Sequence, residues 1–490
     1  MKFSLKRPLS NRSRSAKPED PDAIDPAVWT TAFSIIVGAM AVVFDTTIVS
    51  VAIHDLADDL HAPLGTIQWV TTGYLLAMFV TIPLAGWAQA ALGGKRLWLV
   101  SLGAFLIGSI LCAASWDAAS LIVSRVVQGL GGGIMLPLMT TLIVQATGGR
   151  HIGRVMAAIT LPTALGPIIG PVLGGVILAV ADWRWLFLVN IPFCVIGAWL
   201  AYRNLPAQPS RRGVRLDLFG LLLVSPGVAA IVYALSQVQG SEGFASMGVL
   251  VPLGVGAVLL AGFVGWALRR GERALIDLRL FRHRNLTSGS VLGFLAGATL
   301  YGAMFLLPLY WQEVRGEDAL GAGLLLIPQS LGTLLSRGAA GRYTDRFGPR
   351  WVALAGFVIV TVSTIPFAFV TADTSYVLLL VTLFSRGIGM GVAIIPLTGA
   401  SFIGLPHDDT PGASIITRVA QQLGGSIGTA VIAVVLQNAS ASSADLDDIA
   451  HGFGSAFWWA IAFTAVAAPV CLLMPGRPPA TAVPATAAAG

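Results

Sequence analysis

The sequence predicts an all-α membrane protein of 14 transmembrane helices, built as two six-helix repeat halves plus two extra central helices. Three observations predict this. Of the 490 residues, 55% are hydrophobic and 11% are charged, against about 25% charged in a soluble domain. Fourteen apolar runs each reach the about 20 residues needed to cross a bilayer. Two segments of the first half recur in the second. A soluble enzyme cannot bury this much apolar surface, and intrinsic disorder requires low hydrophobicity.

The runs lie at about 29–53, 67–90, 97–116, 119–145, 152–180, 184–203, 217–236, 247–268, 286–312, 320–341, 351–371, 375–399, 411–437 and 453–474. Backbone in lipid must satisfy its own hydrogen bonds, which leaves helices or closed barrels. Barrel strands are about 10 residues long and alternate in polarity. These runs are twice that length and do not alternate, so they are helices.

Of the 30 Lys and Arg residues, 24 lie in the N-terminal tail, after even-numbered runs or in the C-terminal tail. Only Arg184 and Arg315 follow odd-numbered runs. Positive charge marks the cytoplasmic side, so both termini are expected in the cytoplasm. The connection 400–410, neutral to acidic, breaks this pattern without reversing it. The opposite side carries Asp55, Asp58, Asp59, Glu313, Glu317, Asp318, Asp445, Asp447 and Asp448. The net charge of +6 is therefore mostly topological, and nucleic acid is not an expected partner. Arg outnumbers Lys 26 to 4, a bias of GC-rich bacterial genomes, which points to a bacterial inner membrane.

Cys112, Cys194 and Cys471 sit inside apolar runs with no CxxC pair, and the six His residues show no HxxxH or HExxH spacing. No metal site and no cofactor are expected. The GLGGG run at 129–133 lacks GK[ST] and lies within a span, so it is no phosphate loop. The basic N-terminal tail precedes a run long enough to remain a span, not a cleaved signal peptide.

The stretch from Gly86, GWAQAALGGKR, matches the stretch from Gly341, GRYTDRFGPR: a glycine, a second glycine seven residues on, then basic residues. SRVVQGLGGGIMLPL from Ser124 matches SRGIGMGVAIIPL from Ser385. The offsets, 255 and 261, agree. Repeated membrane halves are the architecture of secondary transporters. The expected organisation is a basic cytoplasmic tail (1–28), a six-helix half (29–203), a linker with two extra spans (204–285), a second six-helix half (286–474) and a disordered cytoplasmic tail (475–490).

Asp45 is the only acidic residue well inside a run. A carboxylate in hydrocarbon costs several kcal/mol unless paired or neutralised, and is a functional candidate by default. Desolvation also brings such a group towards proton exchange near neutral pH. Arg125 is its candidate partner. The two lie about four and seven residues outside the middles of their runs, so at 1.5 Å per residue their depths differ by only about 4–5 Å. Two readings stand: a proton-sensitive switch, or a static pair that sets helix register. In the fifth run, Gly166, Gly170 and Gly174 recur every four residues with Gly175 adjacent, a close-packing pattern, and Pro167 and Pro171 bend the helix.

These segments resemble the motifs of the fourteen-helix drug/proton antiporter family of the major facilitator superfamily, over about residues 29–474. FDTTIVSVAI resembles its first-helix motif, whose acidic position, here Asp45, is implicated in proton coupling or substrate binding. Arg125, Gln128 and Gly129 match the fourth-helix motif. Gly166, Gly170, Pro171, Gly174 and Gly175 resemble the antiporter signature, which symporters of the superfamily are not expected to carry; Ala157 stands where that pattern has another glycine. Gly341, Asp345, Arg346, Gly348 and Arg350 match the cytoplasmic gate motif, in which an Asp beside arginines latches the two halves. The first-half copy keeps Gly86, Gly93, Lys95 and Arg96 but has Ala90 and Ala91 where the charge relay belongs. Arg418 lies just upstream of Gln421-Gln422, where the family tends to have an Arg-Gln pair. It reads either as a shifted structural arginine or as a substrate contact.

Tyr301 and Phe305, with Tyr310 and Trp311 beyond them, are further candidates for contact with an aromatic or cationic ligand, although aromatic residues gather at membrane interfaces regardless. The function implied is a proton-coupled antiporter. It exports amphipathic, cationic or aromatic drugs by alternating access, acts as a monomer in the lipid bilayer, and takes a small-molecule substrate and protons as partners. The alternative is a dedicated exporter of a single endogenous metabolite or antibiotic. A membrane enzyme or lipid-handling protein needs a nucleophile–base pair or metal ligands in the spans, and the sequence offers none.

Overall fold

A computed structural model describes residues 25–49, 52–148, 154–156, 166, 170, 173–207, 210, 214–237, 246–317, 319–371, 373–440 and 446–476. Its elements are helical. They are α1 (Pro26–Ile48), α2 (Ile53–Asp59), α3 (Leu64–Thr81), α4 (Leu84–Leu92), α5 (Gly94–Ala113), α6 (Ala118–Thr147), α7 (Trp185–Leu188) and α8 (Asn190–Asn204). Then come α9 (Leu218–Ser236), α10 (Met247–Arg270), α11 (Arg284–Leu309), α12 (Ala319–Leu325), α13 (Ile327–Phe347), α14 (Pro349–Ala368), α15 (Tyr376–Ala400), α16 (Thr410–Ser440) and α17 (Leu446–Cys471).

Among the described residues, 11 helical segments are long and apolar enough to cross a membrane. A twelfth span is the pair α3–α4, bent by 58°. Pro83 stands at that bend, where it removes a backbone donor and interrupts the helical ladder. The expected span at 152–180 lies mostly outside the described residues. The expected span at 320–341 is α12 with α13, whose hydropathy is lowered by Arg337, Arg342, Asp345 and Arg346. Thirteen of the fourteen expected runs thus fit described helices.

Local chemistry sets the helix boundaries. Asp25 caps α1 by accepting from the Ala27 N–H at 2.8 Å, with Pro26 at the first helical position. Asp117 and Ser120 form a reciprocal capping box at the start of α6. That hydrogen bonding holds the exposed Asp117 carboxyl below its usual range. Gly93 joins α4 to α5 with φ 78° and ψ 150°, and Gly348 joins α13 to α14 with φ 87° and ψ 157°. The two repeat-related glycines thus adopt one backbone conformation that a side chain tolerates poorly.

α1, α3, α5, α6 and α8 pack together, as do α11 and α13–α17. Glycines set the close approaches. A side chain at Gly129 would meet the Tyr74 carbonyl, one at Gly108 the backbone of Gln128, and one at Gly424 the Phe294 carbonyl. α9 and α10 pair with each other, and α9 also lies against α3 and α16. Asp217 fastens this pair at one end, accepting from Trp266 Nε1 (3.0 Å) and from the backbone N–H groups of Gly220 and Leu275 (both 3.1 Å). Large apolar side chains such as Val258, Leu335 and Val362 stand exposed around the bundle, the surface a lipid-facing protein needs.

The bundle has a basic end, where α1 begins, and an acidic end. At the basic end one apolar cluster runs from α1, α4 and α6 into Phe402, Ala413, Ile415 and Ile416 of the second group. There Ser414 Oγ donates to the Pro137 carbonyl at 2.7 Å. Towards the acidic end the clusters stay separate: one holds residues of α1–α3 and α5–α7, another residues of α11, α12 and α14–α17. Among the described residues, the two groups are joined at the basic end and apart at the acidic end.

Replacing Gly93 or Gly348 by Ala is expected to cost about 1–3 kcal/mol each, the cost of forcing a side chain into that backbone region. Gly103→Ala is the control, because nothing lies within 4 Å of its added Cβ and Ala is the better helix former. Thermal unfolding in detergent should show the first two lowered and the third not lowered.

Candidate functional site

Asp45 and Arg125 meet. Arg125 Nη1 lies 2.6 Å from Asp45 Oδ2, and the side chains are 1% and 0% exposed. α1 and α6 bring the two into direct contact, within the reach that the register argument allows. The other carboxylate oxygen, Oδ1, accepts from Gln128 Nε2 at 2.9 Å and from Asn190 Nδ2 at 3.0 Å. Both amides also donate to Ser109 Oγ, at 2.7 and 3.2 Å. The carboxylate is therefore fully served by donors from α6 and α8, braced by α5.

Arg125 has partners besides Asp45. Its Nη1 donates to Gln128 Oε1 at 2.6 Å and its Nε to the Val70 carbonyl at 3.1 Å. The guanidinium lies 4.0 Å from the centroid of the Tyr74 ring and 5.6 Å from that of Phe187. The Tyr74 hydroxyl stands beside the Asp45 charge without a well-formed hydrogen bond to it. Loss of the Asp45 charge would thus leave Arg125 with neutral partners.

The residues expected to form the cytoplasmic gate have different surroundings. Asp345, near the end of α13, faces Arg154 of the first group at 3.5 Å, both partly exposed. Arg346 points outwards and stacks on Phe347. Arg350 donates to the Met474 carbonyl through Nε (3.0 Å) and Nη2 (2.8 Å), tying α14 to the end of α17. Gly341 is buried in α13, and Gly348 makes the turn described above. In the first-half copy, Gln89 donates to Gln145 Oε1 at 3.1 Å and Lys95 to the Tyr202 carbonyl at 2.6 Å. A Cβ at Gly86 would lie 3.1 Å from Ile415 Cδ1, across the seam between the two groups.

Gly166 and Gly170 press on α1: a side chain there would strike Val43 and Thr47, and Thr47 Oγ1 donates to the Gly166 carbonyl at 3.0 Å. Gly174 is buried, and Gly175 has open space beside it. Pro171, Pro167 and Ala157 lie outside the described residues. Tyr301 packs on Gly425 of α16, and Phe305 on the apolar cluster of the second group. Tyr310 and Trp311 are fully buried beside Phe367 and Phe453. Arg418 lines a cavity of about 80 Å³ with Gln421, Thr417, Ser414, Thr398 and Thr140.

Sequence reasoning missed Asn190, Ser109 and Arg154. Asn190 gave a signal, an amide inside the apolar stretch LFLVNIPF. Ser109 gave none, because serine is common in membrane helices. Arg154 was counted as topological charge.

Arg125→Leu strands a buried carboxylate, and breaking such a pair costs about 3–5 kcal/mol. The double variant Asp45→Leu/Arg125→Leu removes both charges and is expected to regain most of that loss in detergent unfolding experiments. A double variant as unstable as the single one would show that the two do not act as a unit.

The family model for the Major Facilitator Superfamily matches residues 35–429 and 289–489. The chain is 37% identical over 430 residues to the "Multidrug resistance protein B homolog" of Mycobacterium tuberculosis, covering 87% of this chain and 79% of that one. It is 29% identical over 406 residues to "Lincomycin resistance protein LmrB" of Bacillus subtilis, covering 82% and 84%. Among solved structures, a double-Trp mutant of XylE aligns with a TM-score of 0.67 at 14% identity, over 92% of this chain and 96% of that one. The human organic anion transporter MFSD10 aligns with a TM-score of 0.63 at 14% identity, over 91% and 100%. At that identity the likeness is one of fold. The extent of the family match and of the closely related sequences makes this chain a member of the major facilitator superfamily, a multi-span membrane transporter and not an enzyme.

Proposed function

We propose that the chain is a proton-coupled antiporter that exports amphipathic drugs across a bacterial inner membrane by alternating access, with both termini cytoplasmic. The observation that carries this reading is the Asp45–Arg125 pair: a buried, fully bonded carboxylate whose cation keeps neutral partners when the carboxylate is protonated. The printed names of the relatives, multidrug and lincomycin resistance proteins, support drug export.

With the basic end cytoplasmic, the joined seam there and the separate clusters at the other end support the reading of an outward-facing state. The cycle follows from charge. A proton arriving from outside neutralises Asp45 and releases its hold on Arg125, and the two six-helix halves (29–203 and 286–474) rock to open inwards. The proton leaves to the cytoplasm, substrate binds, the ion pair reforms and the halves return. Gly166 and Gly170 keep the fifth span tight against α1, so movement of one is transmitted to the other. Gln128 and Gly129 hold the donor and the close approach that the pair needs. Asp345 and Arg154 latch the halves when the cytoplasmic end is shut, with Gly341 and Gly348 shaping that corner. Arg346 and Arg350 flank it. The linker pair α9–α10 (within 204–285) rides beside the first half through α3. The transporter acts as a monomer, with no nucleic acid partner.

Inside-out vesicles with an imposed proton gradient test the coupling, using amphipathic dyes of both charge signs. Wild type is expected to accumulate dye. Asp45→Asn is expected to accumulate no more than vesicles without the protein. Accumulation that survives in Asp45→Asn moves the proton site elsewhere, and no accumulation of any dye by wild type favours a narrow-substrate exporter.

Asp345→Asn and Arg154→Gln are each expected to slow turnover by about two- to fivefold while leaving dye binding intact, because a partly exposed ion pair is worth at most about 1 kcal/mol. Unchanged turnover in both would remove the latch from the mechanism.

A further inference from the structure

The second group of helices carries buried positive charge with no acid to balance it. Arg386 is the repeat counterpart of Arg125 and is 2% exposed. Its partners are neutral: Thr364 Oγ1 (3.3 Å), Gln329 Oε1 (2.9 Å) and the Thr299 carbonyl (3.4 Å). Arg337 is 5% exposed, and its Nε and Nη1 have no hydrogen-bond partner. Arg418 borders the cavity, and its one bond is from Nη1 to Gln421 Oε1 of the same helix, at 3.1 Å. Apart from Asp345 near the end of α13 and Asp447 and Asp448 at the start of α17, α11 and α13–α17 hold no Asp or Glu. The carboxylates nearest Arg418 along the chain are Asp408 and Asp409, in the turn that precedes α16, the latter nine positions away. Asp45, the acid of the first group, is committed through both oxygens.

A guanidinium in a low-dielectric site is costly unless paired. Arg386 meets that requirement with neutral acceptors. Arg337 leaves two nitrogens without an acceptor, and Arg418, partly exposed at the cavity, makes one bond, to Gln421. The cavity beside Arg418 adds hydroxyl and amide groups from Thr140, Ser414, Thr417 and Gln421. Its volume, about 80 Å³, suits a carboxylate or sulfonate group and falls well below the about 300–1,000 Å³ of a site enclosing a whole drug.

We propose that Arg418 and this cavity receive the anionic head group of the transported molecule, so that the substrate class is amphipathic carboxylates or sulfonates and not cations. This rests on the exporter reading above and replaces the expectation of cationic ligands. A cation would enter beside a guanidinium and find no carboxylate among the residues that line the cavity. An anion completes the bonding of Arg418 through the planar fork of its guanidinium. The uncompensated charge of Arg337 and Arg386 favours the same sign at longer range.

The test uses two dyes on one xanthene frame, anionic fluorescein and cationic rhodamine 6G. The full chain is held in nanodiscs of zwitterionic lipid, and binding is read by anisotropy. Wild type is expected to bind fluorescein at least about tenfold more tightly than rhodamine 6G. Arg418→Gln should weaken fluorescein about tenfold, the scale of a charge-assisted bond, and leave rhodamine 6G unchanged. Arg418→Lys should keep most of the affinity. Equal or tighter binding of rhodamine 6G by wild type overturns the proposal whatever the variants do. So does fluorescein binding that Arg418→Gln leaves intact. Gradient-driven accumulation in vesicles separates the two claims. Accumulation of rhodamine 6G alone overturns the anion site and leaves the exporter. Arg418-dependent fluorescein binding without accumulation of either dye keeps the site and overturns the exporter.

Discussion

A carboxylate cannot stay charged in the middle of a membrane protein unless several helices come to it. Asp45 receives donors from Arg125, Gln128 and Asn190, and Ser109 braces the two amides. That single constraint explains much of the first group. α6 must approach α5 closely enough for Gln128 to reach Ser109, and Gly108 removes the side chain that would stand between the two helices. α6 must also touch α3, so that the Val70 carbonyl and the Tyr74 ring hold Arg125, and Gly129 permits that contact. The glycines and the ion pair are one design: small residues bring backbones together, and the proximity makes a buried charge tolerable.

The repeat keeps the arginine and discards the acid. Arg125 and Arg386 occupy equivalent places in the two recurring segments, yet one answers a carboxylate and the other a threonine, a glutamine and a carbonyl. In the proposed cycle this asymmetry separates the tasks. The half with an acid can respond to a proton. The half without one has a fixed positive field that protonation does not alter at physiological pH, because guanidinium groups stay charged. A field of that kind suits recognition better than switching.

The spans were legible because apolar runs of this length have no soluble explanation. Asp45 and Arg125 were legible for the converse reason, since charge inside such a run is too costly to be incidental. Helix rise placed the two within reach in depth, and the fold supplies the contact between α1 and α6. Neutral polar residues carry no such penalty when bonded, so Ser109 gave no sequence signal and Asn190 a weak one. The partner of Asp345 was hidden differently. Arg154 sits among charges whose first explanation is topology, and only the fold brings it across from the other group. Tyr310 and Trp311 illustrate the limit of aromatic patterning: their rings fill a core with Phe367 and Phe453, which their position near a helix end did not reveal.

In the proposed cycle, the closed end also accounts for Ala90 and Ala91 standing where the gate motif has charge. An ion pair at 3.5 Å, partly exposed on both sides, adds little free energy. The apolar seam is larger: Phe402, Ala413, Ile415 and Ile416 join the cluster of the first group, and Gly86 lets Ile415 close upon it. Burial of that seam supplies the attraction, at about 25 cal/mol per Å². Burial has no direction, however, and Asp345 with Arg154 adds one, a preferred register for closure. One such contact suffices to align two rigid groups already drawn together, so a second charge relay around position 90 is dispensable.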